Sequence, residues 1–151
     1  YLVWLPLLAC VVFLYFNFRT KAKCFAGDVG SVTIALWIIM LLLLLIFAAN
    51  NWIYILFLAV YGVDSILTII HRLLLKENIF KAHRMHLYQL LANEHSIPHL
   101  TISAGYSGVQ LLVIIVVIFS SGFSPIGLCA LILLPLILVY LVLKPKLMKL
   151  K

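Results

Sequence analysis

Between two apolar runs the chain reads Lys23-Cys24-Phe25-Ala26-Gly27-Asp28-Val29-Gly30-Ser31, which sets one carboxylate between two glycines at the start of a helix. That pattern suits a metal ion and a phosphate. Glycine lets the backbone approach a ligand closely, a helix N-terminus presents free N–H groups, and a carboxylate can hold a hard cation that bridges phosphate oxygens. Asp28 would then be the ion's ligand, with Gly27, Gly30 and Ser31 around the bound group. The plainer alternative is that Asp28 or Ser31 caps the helix and the glycines only make the turn.

A second segment, Ile79-Phe80-Lys81-Ala82-His83-Arg84-Met85-His86-Leu87-Tyr88-Gln89-Leu90-Leu91, reads as a short amphipathic helix behind a turn, with His83 and His86 on one face. Two histidines three apart, with no nearby Cys or third ligand, make a weak zinc site. Anions suit the segment better. Arg84 offers a planar fork for phosphate, and His83 and His86 can donate hydrogen bonds to a diphosphate or a sugar. The alternative is an interfacial helix whose polar residues sit among lipid headgroups. His95 and His99 lie where the chain returns to the membrane, with Pro98 keeping that entry extended, and both read as interfacial.

The elements that must position these residues are transmembrane helices. The 151 residues are 66% hydrophobic and 10% charged, too apolar for the surface of a soluble domain of this size. A hydrocarbon core of about 30 Å needs roughly 20 apolar helical residues to cross it. Five runs approach that length: Leu2 to Phe18, Val32 to Ala49, Trp52 to Ile70, Thr101 to Phe119 and Pro125 to Leu143. They lack the period-two alternation of barrel strands, and a helix satisfies its own backbone in lipid. The expected fold is all-α, a polytopic transmembrane helix bundle of about five spans, forming one domain over 1–151 with cytoplasmic loops at 19–31 and 71–100. The first run has no basic lead-in and no small-residue cleavage site, so it does not read as a signal peptide. The chain is expected to be the latter part of a longer protein. Cys10, Cys24 and Cys129 read as packing residues with no disulfide partner.

The eleven Lys and Arg residues cluster at Arg19 to Lys23, Arg72 to Arg84 and Lys144 to Lys151. Five crossings put these three segments on one side, and the positive-inside rule makes it cytoplasmic, with the N-terminal end of the chain opposite and the C-terminus inside. The opposite turns, Asn50-Asn51 and Ser120 to Ser124, carry no charge and have no room for chemistry. A formal net charge of +7 is accounted for by topology and anionic lipid, and does not indicate nucleic acid. Asp64, in an otherwise apolar run, shares a helical face with Tyr61, Thr68 and His71. It is either satisfied at headgroup level by Thr68, His71 or Arg72, or it orients a residue of the cytoplasmic face. No other ionisable residue is expected at membrane depth, which argues against a coupled transporter.

The first segment resembles the Phe-x-Gly-Asp-x-Gly-Ser signature of polyprenyl-phosphate N-acetylhexosamine-1-phosphate transferases, the superfamily of the undecaprenyl-phosphate N-acetylglucosamine-1-phosphate and phospho-N-acetylmuramoyl-pentapeptide transferases. Phe25, Gly27, Asp28, Gly30 and Ser31 match, and Ala26 stands where the family often has Met. The second segment is similar to the family's other signature, an Ile-Phe pair and a His-rich stretch behind an Arg-containing helix end, with Arg72 supplying that Arg. Where many members read His-x-His-His, this chain reads His86-Leu87-Tyr88-Gln89, closer to the subgroup with Ala-His-Arg-x-His-x-Tyr-Gln that initiates O-antigen synthesis. The resemblance runs over essentially the whole chain.

The resemblance implies transfer of N-acetylhexosamine 1-phosphate from a UDP-sugar to undecaprenyl or another polyprenyl phosphate. This releases UMP and starts O-antigen or a similar cell-surface polysaccharide at a bacterial cytoplasmic (inner) membrane. It implies Mg²⁺ at Asp28, with Mn²⁺ as a substitute, and His83, Arg84 and His86 around the phosphates. Family members also carry an Asp-Asp pair and an Asn-x-x-Asp-Gly segment, neither of which occurs here. The chain is therefore expected to be inactive alone, its site completed by an N-terminal part or a partner chain, with a homodimer as a further expectation. The competing expectation is a non-enzymatic membrane scaffold or lipid-binding subunit.

Overall fold

The computed structural model describes residues 1–19, 23–24, 26–79, 81, 85–120 and 122–149, with the backbone alone for Lys149. The described residues form six α-helices and one 3-10 segment. These are α1 (Trp4–Asn17), α2 (Gly27–Ala49), the 3-10 segment (Trp52–Leu58), α3 (Ala59–Leu74), α4 (Leu87–Asn93), α5 (His99–Phe119) and α6 (Pro125–Lys149). The fold is all-α and polytopic, as the sequence predicts. Among the described residues, four stretches are long and apolar enough to cross a membrane: Gly27–Ala49, Trp52–Leu74, His99–Phe119 and Pro125–Met148. The first expected span is shorter, because α1 holds 14 residues and extends only about 21 Å at 1.5 Å per residue. The chain divides into two compact units, Tyr1–Asn51 and Trp52–Lys151.

In the first unit, α1 and α2 carry no buried residue, and both are apolar on every side, which is the pattern of helices that face hydrocarbon. The Trp37 indole N–H donates to the Leu2 carbonyl at 2.9 Å, linking the residues just before α1 to the middle of α2. Asn17 ties the connecting segment through its side-chain oxygen, which accepts from the Cys24 N–H at 3.1 Å. Cys24 is exposed and is not a packing residue, whereas Cys10 and Cys129 are half-buried. All three thiols are free. Asn50, left-handed at φ 47°, closes α2.

In the second unit the span after Asn51 is wound in two ways, and its burial pattern follows the winding. Ile53, Leu56 and Ala59 recur every three residues and pack on Val113 and Val117 of α5 and Leu128 and Ile132 of α6. Beyond Ala59 the buried residues are Asp64, Thr68 and Arg72, recurring every four. A 3-10 turn has 3.0 residues and an α turn 3.6, so each half turns one face inward. Where the two windings meet, backbone groups lose their regular partners, and Gln110 of α5 supplies them. Its Nε2 donates to the Leu56 carbonyl at 3.2 Å, and its Oε1 accepts from the Val60 N–H at 3.0 Å. Gln110→Leu leaves both groups unpaired in apolar surroundings and is expected to lower stability by about 1–3 kcal/mol, read by chemical unfolding in detergent.

Helix α3 ends in a Schellman arrangement: the Lys76 N–H donates to Leu73 O, the Glu77 N–H donates to Arg72 O, and Lys76 is left-handed at φ 56°. Helix α6 starts on Ser124, whose hydroxyl oxygen accepts from the Gly127 N–H at 3.1 Å, with Pro125 in the first helical position. It continues through Lys144 and Lys146 as helix rather than stopping near Leu143.

Candidate functional site

The Gly27-to-Ser31 turn, with which α2 begins, lies in the first unit. Gly27 takes φ 62°, a conformation that a side chain would strain. A Cβ at Gly30 would stand 3.3 Å from the Ala26 Cβ, so the first turn is closed tightly over Ala26. Asp28 falls in that first turn and is exposed, favourably placed against the positive end of the helix dipole. Neither Asp28 nor Ser31 caps the helix through its side chain, and the Ser31 hydroxyl instead donates to the Asp28 carbonyl at 3.2 Å. The plainer alternative, a side-chain cap, is therefore not the arrangement found. Phe25, the first residue of the signature, lies outside the described residues.

Mg²⁺ usually keeps several waters and takes one or two carboxylates together with substrate phosphates. A single exposed carboxylate next to free helix N–H groups fits as one member of such a set. Among the described residues no group of three or more His, Cys, Asp or Glu is placed to hold a metal by itself.

Among the described residues of the second segment, helix begins at Leu87 and runs to Asn93, a short helix whose cap is His86. His83 and Arg84 lie outside the described residues, and so does Phe80. His86 stands at the N-cap of α4 in extended conformation. Gln89 reaches back to it: its Oε1 accepts from the His86 N–H at 3.4 Å, and its own N–H donates to the His86 carbonyl at 3.0 Å. Tyr88 stacks on the His86 ring at 5.7 Å between centroids and meets Tyr106 edge-on at 6.4 Å. Burial, then the neighbouring Tyr61 and Asp64, raises the Tyr88 phenol above its usual range and keeps it a neutral hydroxyl. His86, Tyr88 and Gln89 thus together build the start of one short helix.

Arg72 is not a free phosphate fork. It is buried, and its guanidinium pairs with Glu77 at 3.0 Å and donates to the carbonyls of Asn78 at 2.5 Å, Ile79 at 3.2 Å and Lys81 at 3.4 Å. Its donors hold the loop that leaves α3. His95 is half-buried, and His99 is exposed in the first turn of α5.

Asp64 is 3% exposed, and of the partners expected for it Thr68 is found, joined by two others. Oδ1 accepts from the Leu87 N–H at 2.9 Å and from the Thr68 hydroxyl at 3.3 Å, while Oδ2 accepts from the Tyr106 hydroxyl at 3.4 Å. Neither His71 nor Arg72 takes part. Behind Thr68 lies a residue the sequence reading placed among the loop cations: Lys144, also 3% exposed, whose ammonium donates to Thr68 Oγ1 at 3.1 Å and to the Tyr140 hydroxyl. Asp64 is consequently not the sole ionisable group inside the helices. Thr68 and Tyr140 lie 2.7 Å apart, and the donor count fixes the order of the protons. An ammonium only donates and a carboxylate only accepts. Thr68 therefore donates to Asp64 and accepts from Lys144 and Tyr140, and the network runs in one direction from cation to anion.

Beside this network lies a cavity of about 360 Å³, lined almost entirely by apolar side chains, including Val60 and Val63 of α3, Val109 of α5 and Leu136 and Val139 of α6. Gly105 forms part of its wall, and Asp64, Tyr106 and Tyr140 supply its polar edge. In the order of residues its one hint is Gly105, a small residue in an otherwise bulky run.

Fold and composition define the class, an integral membrane protein of the polytopic α-helical kind. Compared with known proteins, the chain matches no family model, no curated protein and no solved structure.

Proposed function

We propose that the chain is the C-terminal part of a polyprenyl-phosphate N-acetylhexosamine-1-phosphate transferase acting at the cytoplasmic face of a bacterial inner membrane. The observation that carries this reading is the Gly27-Asp28-Val29-Gly30-Ser31 turn: a left-handed glycine, then an exposed carboxylate in the first turn of a helix long enough to cross the membrane. The signature residues at the start of α4 support it from a second loop. An oxygen of the lipid phosphate attacks the sugar-linked phosphorus of the UDP-sugar, and the bond from that phosphorus to the bridging oxygen breaks. Polyprenyl diphosphate-sugar forms and UMP leaves.

Catalysis of such a transfer is mostly positioning and charge stabilisation. Asp28 would hold Mg²⁺, which, when bound, would neutralise the diphosphate charge. His83, Arg84 and His86 are assigned to hydrogen bonding with phosphate oxygens and the sugar. Part of the acceptor's isoprenoid chain is assigned to the apolar cavity between α3, α5 and α6. A Cβ at Gly105 would meet no atom within 4 Å, so a larger side chain there enters open space. Gly105→Leu is expected to raise the KM for polyprenyl phosphate about fivefold or more while leaving the KM for the UDP-sugar unchanged, as steady-state kinetics would read.

The decisive experiment joins this segment to the upstream region that supplies the Asp-Asp and Asn-x-x-Asp-Gly acids and measures Mg²⁺-dependent UMP release from a panel of UDP-N-acetyl sugars with undecaprenyl phosphate. Release from one sugar is the expected result, with none from residues 1–151 alone. A lipid-binding scaffold draws on the same apolar cavity, and it becomes the better reading if a well-folded preparation releases UMP from no sugar.

A further inference from the structure

We propose that Asp64 is a positioning residue that fixes where His86 stands, acting from within the helices and not at the reacting atoms. The importance given to His86 rests on the transferase reading, whereas the positioning stands on contacts alone. One oxygen of Asp64 serves two purposes: Oδ1 accepts from the Leu87 N–H at 2.9 Å and lies 3.7 Å from Nδ1 of His86. Leu87 opens α4 and His86 is its cap. The carboxylate thus sits at the point where extended chain becomes helix. A helix of seven residues has little stability of its own, so its start is set by what it is tied to.

The other end of the loop is tied to the same face of α3. Arg72, two turns beyond Asp64, holds the carbonyls of Asn78, Ile79 and Lys81, and Asp64 holds the N–H of Leu87. Asp64 is itself kept in place, because Thr68 and Tyr106 donate to it and Lys144 backs Thr68 from α6. A carboxylate that only had to be satisfied could draw on its own helix. This one draws on its own helix through Thr68 and in addition takes a backbone donor from 23 residues further along the chain.

The test compares Asp64→Leu, which has similar size and no acceptor, with Asp64→Asn, which keeps one oxygen for the Leu87 N–H. Both are made in the protein joined to its upstream region and reconstituted in lipid vesicles. Asp64→Leu is expected to speed amide hydrogen exchange over 86–91 about tenfold or more with α5 unchanged. It should also lower kcat for UMP release about tenfold or more at a KM for the UDP-sugar within about twofold. Asp64→Asn should restore most of both. Leu87→Pro removes the same hydrogen bond from the donor's side. Proline is tolerated at a first helical position, and His86, at ψ 146°, already has the extended conformation that precedes proline. This variant should reproduce the faster exchange. Unchanged exchange over 86–91 in Asp64→Leu and Leu87→Pro overturns the proposal. So does faster exchange throughout α3 and α5 without rescue by Asp64→Asn, which would make Asp64 a residue of the fold alone. If the unaltered protein releases UMP from no sugar, the transferase reading fails, and the exchange measurements still decide the positioning.

Discussion

Asp28→Asn is expected to abolish Mg²⁺-dependent UMP release, a fall of about 10²-fold or more, in a protein whose thermal unfolding is unchanged. The size follows from what is removed: a charged ligand to a divalent ion in phosphoryl transfer, where charge stabilisation supplies most of the acceleration. The lack of a stability cost follows from exposure. Asp28 lies in solvent in the first turn of α2, and its side chain makes no cap, so its replacement forfeits only a small interaction with the helix dipole. Chelation of divalent ions should reproduce the loss, and added Mn²⁺ should restore activity to the unaltered protein but not to the variant. A scaffold would bind its lipid equally well with or without this carboxylate, which separates the two readings.

The second large effect concerns stability. Thr68 is fully buried and is the hydroxyl on which a cation, a phenol and a carboxylate converge. Thr68→Val keeps the shape and removes all three hydrogen bonds, leaving the Lys144 ammonium and the Asp64 carboxylate short of partners inside the helices. The expected loss is about 2–4 kcal/mol, above the usual worth of a hydrogen bond between membrane helices because charged groups are stranded. Lys144→Met should also destabilise. In the double variant the two losses should add to less than their sum, since removing the lysine also removes the group that Thr68→Val strands. Unfolding in detergent or bicelles gives all the terms of that cycle.

The helices were legible in the sequence because length and apolarity are local properties. The runs from Val32, Trp52, Thr101 and Pro125 all appear as spans, though α2 starts at Gly27 and α6 continues to Lys149. The polar network was only half legible. Asp64 stands out as a carboxylate in an apolar run, whereas Lys144 at the end of another run reads as an ordinary interfacial cation. Its burial depends on Thr68, 76 residues away. Tyr106, Tyr140 and Gln110 carried no signal either, since single polar atoms on spans acquire meaning only from the helix opposite. That His86 caps α4 was not legible, because histidine is not a usual N-cap and the Gln89 that accepts its N–H looks like any helix residue. Arg72 stands at the helix end where the sequence places it, but as a partner of Glu77 and of the carbonyls of its own loop and not of Asp64, a choice between nearby acceptors that sequence does not reveal.

The change of winding after Leu58 has a mechanical consequence. Seven residues wound as 3-10 rather than α advance about 3.5 Å further and turn about 140° more. If Trp52–Leu58 relaxed to an α-helix, everything beyond would be drawn back and swung round. Asp64 and Thr68 would turn away from Leu87 and Lys144 together. The Gln110 amide stands between the Leu56 carbonyl and the Val60 N–H, the pair that an α-helix would join directly, and so opposes that rotation.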